Sequence, residues 1–363
     1  MGKLWHRVAN DQGKFDLREV DMSQLKIDQP TIVYLSGFLT NNNRPGYVAG
    51  GIKCMEELLR NRPECPVPPK VYAWSHSGLR NLFNLAVYNT FPSSRSSQAG
   101  YDIGAGVLMP LVTKGFAIDK RGHVSGTPIP LEEAKKNVMN VTLFGYSAGA
   151  IVAQETFNAT LKMMKDVGYN EKDAREVLNE VVLVATGVFS RYTKEANRFT
   201  TLYLAATNDR MMRAKNWIWG TTGTLLRTTF TGYANKQRSL TVRPLSDTSV
   251  YITAPVRPSD YEWKYDDSGR PVEKKHFGLL YPRWTGLRSY HELQHYLTTD
   301  EKNNSFANIA LYALINAVNR QGTVKPMDLI QPPPANQNAS EAYRAKIAAA
   351  IRPMPQSLKR KNP

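Results

Sequence analysis

The sequence predicts an α/β fold in which a mostly parallel central sheet carries helices on both faces. Two observations predict it. Short apolar, β-branched runs alternate with segments of helical character along most of the chain, the order that right-handed β-α-β crossovers require. One junction also reads as a strand, a sharp turn and a helix: Val141-Thr142-Leu143-Phe144, then Gly145-Tyr146-Ser147-Ala148-Gly149, then a segment opening at Ala150.

In chain order, strands are expected at 31–35, 70–74, 141–144, 181–185, 200–205 and 249–253. Each is a run of Val, Ile, Leu, Thr, Ala or aromatic residues of the kind a pleated, buried surface selects. Helices are expected at 47–60, 99–114, 131–137, 148–167 and 171–179. In the fourth of these, Ile151, Gln154, Phe157, Leu161 and Met164 recur at helical spacing while Glu155, Asn158 and Lys162 fall elsewhere, so its apolar stripe is expected to pack on the sheet. The segment 15–28 is expected to add an edge strand pair, its pairing left open. Residues 1–325 form one domain in this reading, with insertions at about 209–248 and 255–288. Beyond it come a polar, Pro-rich linker (331–338), an Ala-rich short helix (341–351) and the basic end Lys359-Arg360-Lys361. That tail is expected to lie outside the fold as a solvated terminus, with an anion-binding or docking arm as the alternative.

Composition bounds the function. A chain of 363 residues, 42% hydrophobic and 21% charged, buries a full core, and one large domain with insertions fits better than two equal ones. The net charge of +16 favours anionic partners, whether phospholipid head groups, nucleic acid or acidic substrates, and says nothing of fold. Cys54 and Cys65 are the only cysteines, and with no C-x-x-C and no His cluster beside them neither a zinc site nor a disulfide framework is indicated. A Cys54–Cys65 bridge is unsupported. The start, Met1-Gly2-Lys3-Leu4-Trp5-His6, lacks the apolar core of a signal peptide and the Ser or Thr of a myristoylation site, so a cytoplasmic protein is expected. Export by a signal-independent route stays open. No apolar run reaches the ~18 residues of a membrane span, since Asn308 and Asn316 interrupt the longest candidate.

The turn at Ser147 carries the chemistry. A serine at a tight strand-to-helix turn needs neighbours with little Cβ bulk on the sides facing strand and helix, and Gly145 and Gly149 supply it. The hydroxyl then stands above the sheet at a helix N-terminus, where backbone N–H groups stabilise a developing oxyanion. Ser147 is therefore the candidate nucleophile.

On this motif and its setting the chain resembles the α/β-hydrolase family of serine esterases and lipases, over about residues 30 to 320. The resemblance implies a Ser-Asp/Glu-His triad in that chain order, with the partners at the carboxyl ends of strands. Asp209, after the strand 200–205, matches the family's acid; the preceding strand ends Thr186-Gly187-Val188-Phe189 with no acid. Among the six histidines, His6, His76 and His123 break the order, and His276 lies in a polar segment. His291, within the capping box Ser289-Tyr290-His291-Glu292, is the candidate base, with His295 its rival. The oxyanion hole implied is the backbone N–H of Ala148 with that of Phe38, or of Leu39 if the turn is one residue longer. The family commonly has a His-Gly pair before that position, and Ser36-Gly37 stands here instead. A long insertion between the last strand and His291 is a second departure. The resemblance implies no metal and no organic cofactor.

The expected substrate is a small-molecule or lipid ester. Between Asp209 and Arg243, the cations Arg210, Arg213, Lys215, Arg227, Lys236 and Arg238 are mixed with Trp217, Ile218, Trp219, Leu225 and Leu226, the composition of a lid resting on an anionic membrane surface. A loop and helix covering the core is the competing reading of the same segment. A different class of function, a catalytically inert hydrolase-fold protein holding a nucleic acid, membrane or protein partner on its basic surface, also fits the composition. Nucleic acid is the weaker partner because no nucleic-acid motif occurs.

Overall fold

A computed structural model describes residues 2–12, 14–37, 46–60, 62–75, 98–187, 199–206, 240–254, 263–265, 271–273, 293, 296–297, 305–333 and 337–352. The chain begins with β1 (Lys3–Ala9) and β2 (Phe15–Val20), then β3 (Thr31–Leu35), α1 (Gly46–Leu59) and β4 (Lys70–Ser75). It continues through α2 (Gln98–Ile103), a π turn at Gly104–Leu108 and α3 (Met109–Val112) into the hairpin β5 (Thr113–Ile118) and β6 (Val124–Pro128). Next come α4 (Leu131–Val138), β7 (Val141–Tyr146), α5 (Ala148–Asp166), α6 (Glu171–Asn179), β8 (Val182–Thr186) and β9 (Thr200–Ala206). The remainder is β10 (Thr241–Ser246), β11 (Ser249–Ala254), β12 (Trp263–Tyr265), β13 (Pro271–Glu273), α7 (Ser305–Asn319), α8 (Pro326–Leu329) and α9 (Gln337–Ala350).

Nine strands form one sheet in the order β10-β11-β9-β8-β7-β3-β4-β1-β2. From β11 to β4 every neighbouring pair is parallel; β10, β1 and β2 add antiparallel margins. The fold is thus α/β with a mostly parallel sheet, and the six strands expected from the sequence are its six parallel ones. Their legibility follows from burial on both faces: every residue of β3, β8, β9 and β11 is buried, so each must be apolar or self-satisfying along its whole length.

Alternation along each strand sorts the core into two halves. Ile32, Tyr34, Val182, Val184, Leu202 and Leu204 point to the side covered by α1, α7, α8 and α9, whereas Val33, Leu35, Leu183, Ala185, Tyr203 and Ala205 point to the side covered by α2 to α6. From β3 the chain crosses to β4 on one side, then returns to β7 on the other side of β3. The carboxyl ends of β3 and β7 therefore flank the topological switch point, where open α/β sheets leave a crevice. Arg320 ties down the other end of β7 by donating to the carbonyls of Met139 and Val141 at 2.5 and 3.0 Å.

Several margins differ from expectation. Within 15–28 only Phe15–Val20 is a strand, and its partner is β1, upstream of the expected pair. The helix expected at 99–114 contains a π turn and gives way to β5 at Thr113. The Ala-rich segment, expected as a solvated helix, is docked: Ile347 is 2% exposed, Tyr343 stacks edge-on against Tyr312 at 5.1 Å, and Ile351 bridges to Val242 of β10. Apolar contact on the α7 and β10 side outweighs the polar composition that suggested a free tail. Both cysteines are unbridged thiols, and burial pushes that of Cys54 up to about 12. Among the described residues, no helix is long and apolar enough to cross a membrane.

Candidate functional site

The turn after β7 is built by contacts that exclude any side chain at two of its positions. A Cβ on Gly145 would lie 2.7 Å from the Cα of Ala150, and one on Gly149 would lie 1.9 Å from the carbonyl oxygen of Leu35. Strand β7 and the first turn of α5 can approach β3 this closely only with glycine at both places. The price appears at the residue between them. Ser147 has φ 56° and ψ −119° and is the one non-glycine residue with positive φ among those described, a conformation that costs of order 1–3 kcal/mol and persists only where the surroundings enforce it.

Those surroundings are identifiable. The Ser147 N–H donates to the carbonyl of Thr186 at 2.9 Å, and its own carbonyl accepts from Ala150 at 3.1 Å. Next door, the Thr186 hydroxyl donates to the Gly145 carbonyl at 3.3 Å. Serine at a helix start ordinarily caps the helix with its hydroxyl, but Ser147 makes no such cap bond. Ser147 stands at the amino end of the 19-residue α5, whose aligned peptide dipoles favour negative charge there. Ala148 is the first residue of α5, so its N–H is among the four without an intrahelical acceptor.

Across the switch point, Gly37 closes on the same turn: a Cβ there would meet the Tyr146 ring at 2.9 Å and Ser147 Cβ at 3.4 Å. Gly37, directly after β3, thus lies against the serine turn. Ser36, which stands where the resembled family has histidine, is fully buried and donates from its hydroxyl to the Trp74 carbonyl at 2.6 Å. Its side chain belongs to the scaffold linking β3 to β4.

Of the expected site residues, Ser147 and Ala148 are described. Phe38 and the alternative Leu39, Asp209, His291 and the rival His295 lie outside the described residues, as does the cation- and Trp-rich segment 209–239. Residues beside two of them are nevertheless joined. The Ala206 N–H, at the carboxyl end of β9 and three positions before Asp209, donates to the hydroxyl of Tyr296 at 3.2 Å. Tyr296 immediately follows His295, is fully buried, and has a neighbour, Leu297, whose carbonyl accepts from the Cys54 thiol. This anchor was not foreseen from the sequence. Its only trace there is an aromatic residue directly after the histidine pair.

Strand β9 is two strands from β7, so its carboxyl end is roughly 10 Å from that of β7. Among the described residues no group of three or more His, Cys, Asp or Glu could hold a metal ion. The chain matches no model of a protein family and no curated protein.

Proposed function

We propose that the protein is a serine hydrolase with an α/β-hydrolase architecture that cleaves carboxylic esters, lipid or phospholipid esters among them. The observation that carries this reading is the backbone of Ser147, a strained positive-φ serine between two glycines that steric contact makes obligatory, at the switch point of a parallel sheet and the start of a long helix. A serine that were merely a turn residue could relax this strain, or be replaced by glycine, without loss.

In this reading His291 removes the Ser147 proton as Oγ attacks the ester carbonyl, and the N–H groups of Ala148 and Phe38 receive the oxyanion. The imidazolium, oriented by Asp209, returns the proton to the departing alcohol. Water then attacks the acyl-enzyme, His291 taking its proton and passing it to Ser147 Oγ as the acid is released. The bond between Ala206 and Tyr296 supports this assignment because it draws the chain beside Asp209 and the chain beside the two histidines to the same end of β9.

Covalent labelling by a fluorophosphonate probe tests the reading. The folded parent is expected to label and Ser147→Ala not to. Loss of the base should lower turnover of a short-chain ester by on the order of 10³-fold or more, so His291→Ala and His295→Ala separate the two histidines. A folded parent that takes no label would leave the inert binding scaffold as the better account.

A further inference from the structure

We propose that β2 is a self-pairing edge through which two copies of this chain join their sheets across a two-fold axis centred on Leu17. The observations lie far from Ser147 and do not depend on the catalytic reading. Strand β2 ends the nine-stranded sheet, and among the described residues it pairs only with β1. Asp16, Arg18 and Glu19 are exposed, and no described residue pairs with the outer edge of β2.

Which backbone groups face outward follows from the register. The turn closes with the Asn10 N–H donating to the Lys14 carbonyl at 2.7 Å, and the ladder continues with Val8 opposite Asp16 and His6 opposite Arg18. Bonded and non-bonded pairs alternate in an antiparallel ladder. Asp16 and Arg18 therefore bond inward to β1, and Phe15, Leu17 and Glu19 turn their N–H and C=O groups to the open edge. A second copy related by a dyad at Leu17 sets Leu17 opposite its own mate and Phe15 opposite the mate's Glu19. About six inter-chain N–H···O=C bonds result, every one from groups that β1 leaves unused.

The side chains match the same axis. Asp16 and Arg18 sit one position either side of Leu17, so the dyad places each Asp16 beside the other copy's Arg18, in the closer, non-bonded type of pair. Among the described residues, Asp16 has only a long contact from Asn10 at 3.4 Å and Arg18 makes no ion pair. Glu19, which pairs with Lys3 of its own chain at 2.5 Å, comes opposite the other copy's Phe15, whose ring carries the Arg7 guanidinium at 4.2 Å and that of Arg60 at 6.0 Å. An edge protected against association carries charges that repel a second copy; this one carries charges that change sign across the axis. Leu17, half-buried against the core, meets its mate on the opposite face.

Sedimentation equilibrium of the full chain at micromolar concentration tests the proposal. The parent is expected at twice the 40.8 kDa monomer mass. Asp16→Arg alone or Arg18→Asp alone juxtaposes like charges and should raise the dimer Kd at least ~10-fold, a loss equivalent to about 1.4 kcal/mol. Mixing these two variants should restore association as a heterodimer, and the double variant D16R/R18D should restore the homodimer. Leu17→Pro removes an outward N–H while leaving the β1 ladder intact, and should also yield monomers with an unchanged circular dichroism spectrum. A parent that stays monomeric, a dimer indifferent to the single exchanges, or failure of both combinations to recover it would overturn the proposal.

Discussion

A side-chain carbon on Gly149 would fall 1.9 Å from the carbonyl oxygen of Leu35, so the first turn of α5 and the end of β3 touch backbone to backbone. No rotamer change relieves that contact, because the atom met is main chain. Gly149→Ala is therefore expected to push α5 away from β3, destabilising the fold by roughly 1–3 kcal/mol as overpacking does. It should also reduce fluorophosphonate labelling at Ser147. Urea denaturation and probe labelling on the same sample check both effects, and a fully stable variant would mean the turn is looser than it looks.

The strain at Ser147 makes a second, opposite prediction. At φ 56° an L-residue bears a cost that glycine does not. Ser147→Gly should consequently be more stable than Ser147→Ala by about 1 kcal/mol, although both lack the hydroxyl and neither should label. Equal stability of the two variants, measured by thermal unfolding, would argue against an enforced conformation.

The parallel strands were legible because burial on both faces leaves their composition no freedom, and the turn was legible because its steric requirements act between residues close in sequence. Strand β1 was not. Its centre carries Arg7, which is buried only because Glu56 pairs with it at 2.5 Å and the Phe15 ring stacks on it at 4.2 Å; a charge in a short run otherwise reads as surface. The hairpin β5–β6 was hidden for the converse reason, since among its strand residues only Thr113 is buried and so little burial selects no apolar run. Tyr296 and Ala206 are 90 positions apart, and no local pattern announces a bond made at that distance. The partners proposed for Ser147 would need the same kind of long-range closure, which is why a resemblance and not periodicity suggested Asp209 and His291.

His6 offers a pH dependence. Burial holds its imidazole below the ordinary value of about 6.5, helped by the Lys70 charge and opposed by the Val71 carbonyl. The native state thus binds fewer protons than the unfolded chain as pH falls through this range, so this residue's share of stability is present above about pH 6.5 and is lost on acidification. His6→Gln, which cannot charge, should narrow the gap to the parent as pH drops from 7.5 to about 5.5. Denaturant midpoints of both proteins across that range give the comparison, and a parallel decline would exclude His6 as a contributor.

The packing of α9 is decided by two substitutions with opposite signs. Ile347 is buried against the main core, so Ile347→Ala removes apolar contact and leaves a cavity, costing roughly 2–4 kcal/mol. Tyr343 sits in the same interface with its ring against Tyr312, and its hydroxyl is buried without a hydrogen-bond partner among the described residues; burial drives its pKa strongly upward. Tyr343→Phe keeps the ring and deletes the unsatisfied group, so it should be neutral or stabilising by up to about 1 kcal/mol. A frayed, solvated helix would show neither effect, because both side chains would then be in water before and after unfolding. A marked loss for the first change beside no loss for the second therefore identifies a helix seated on the sheet, with the backbone bond from Arg352 to the Val242 carbonyl at 2.8 Å fastening its end to β10.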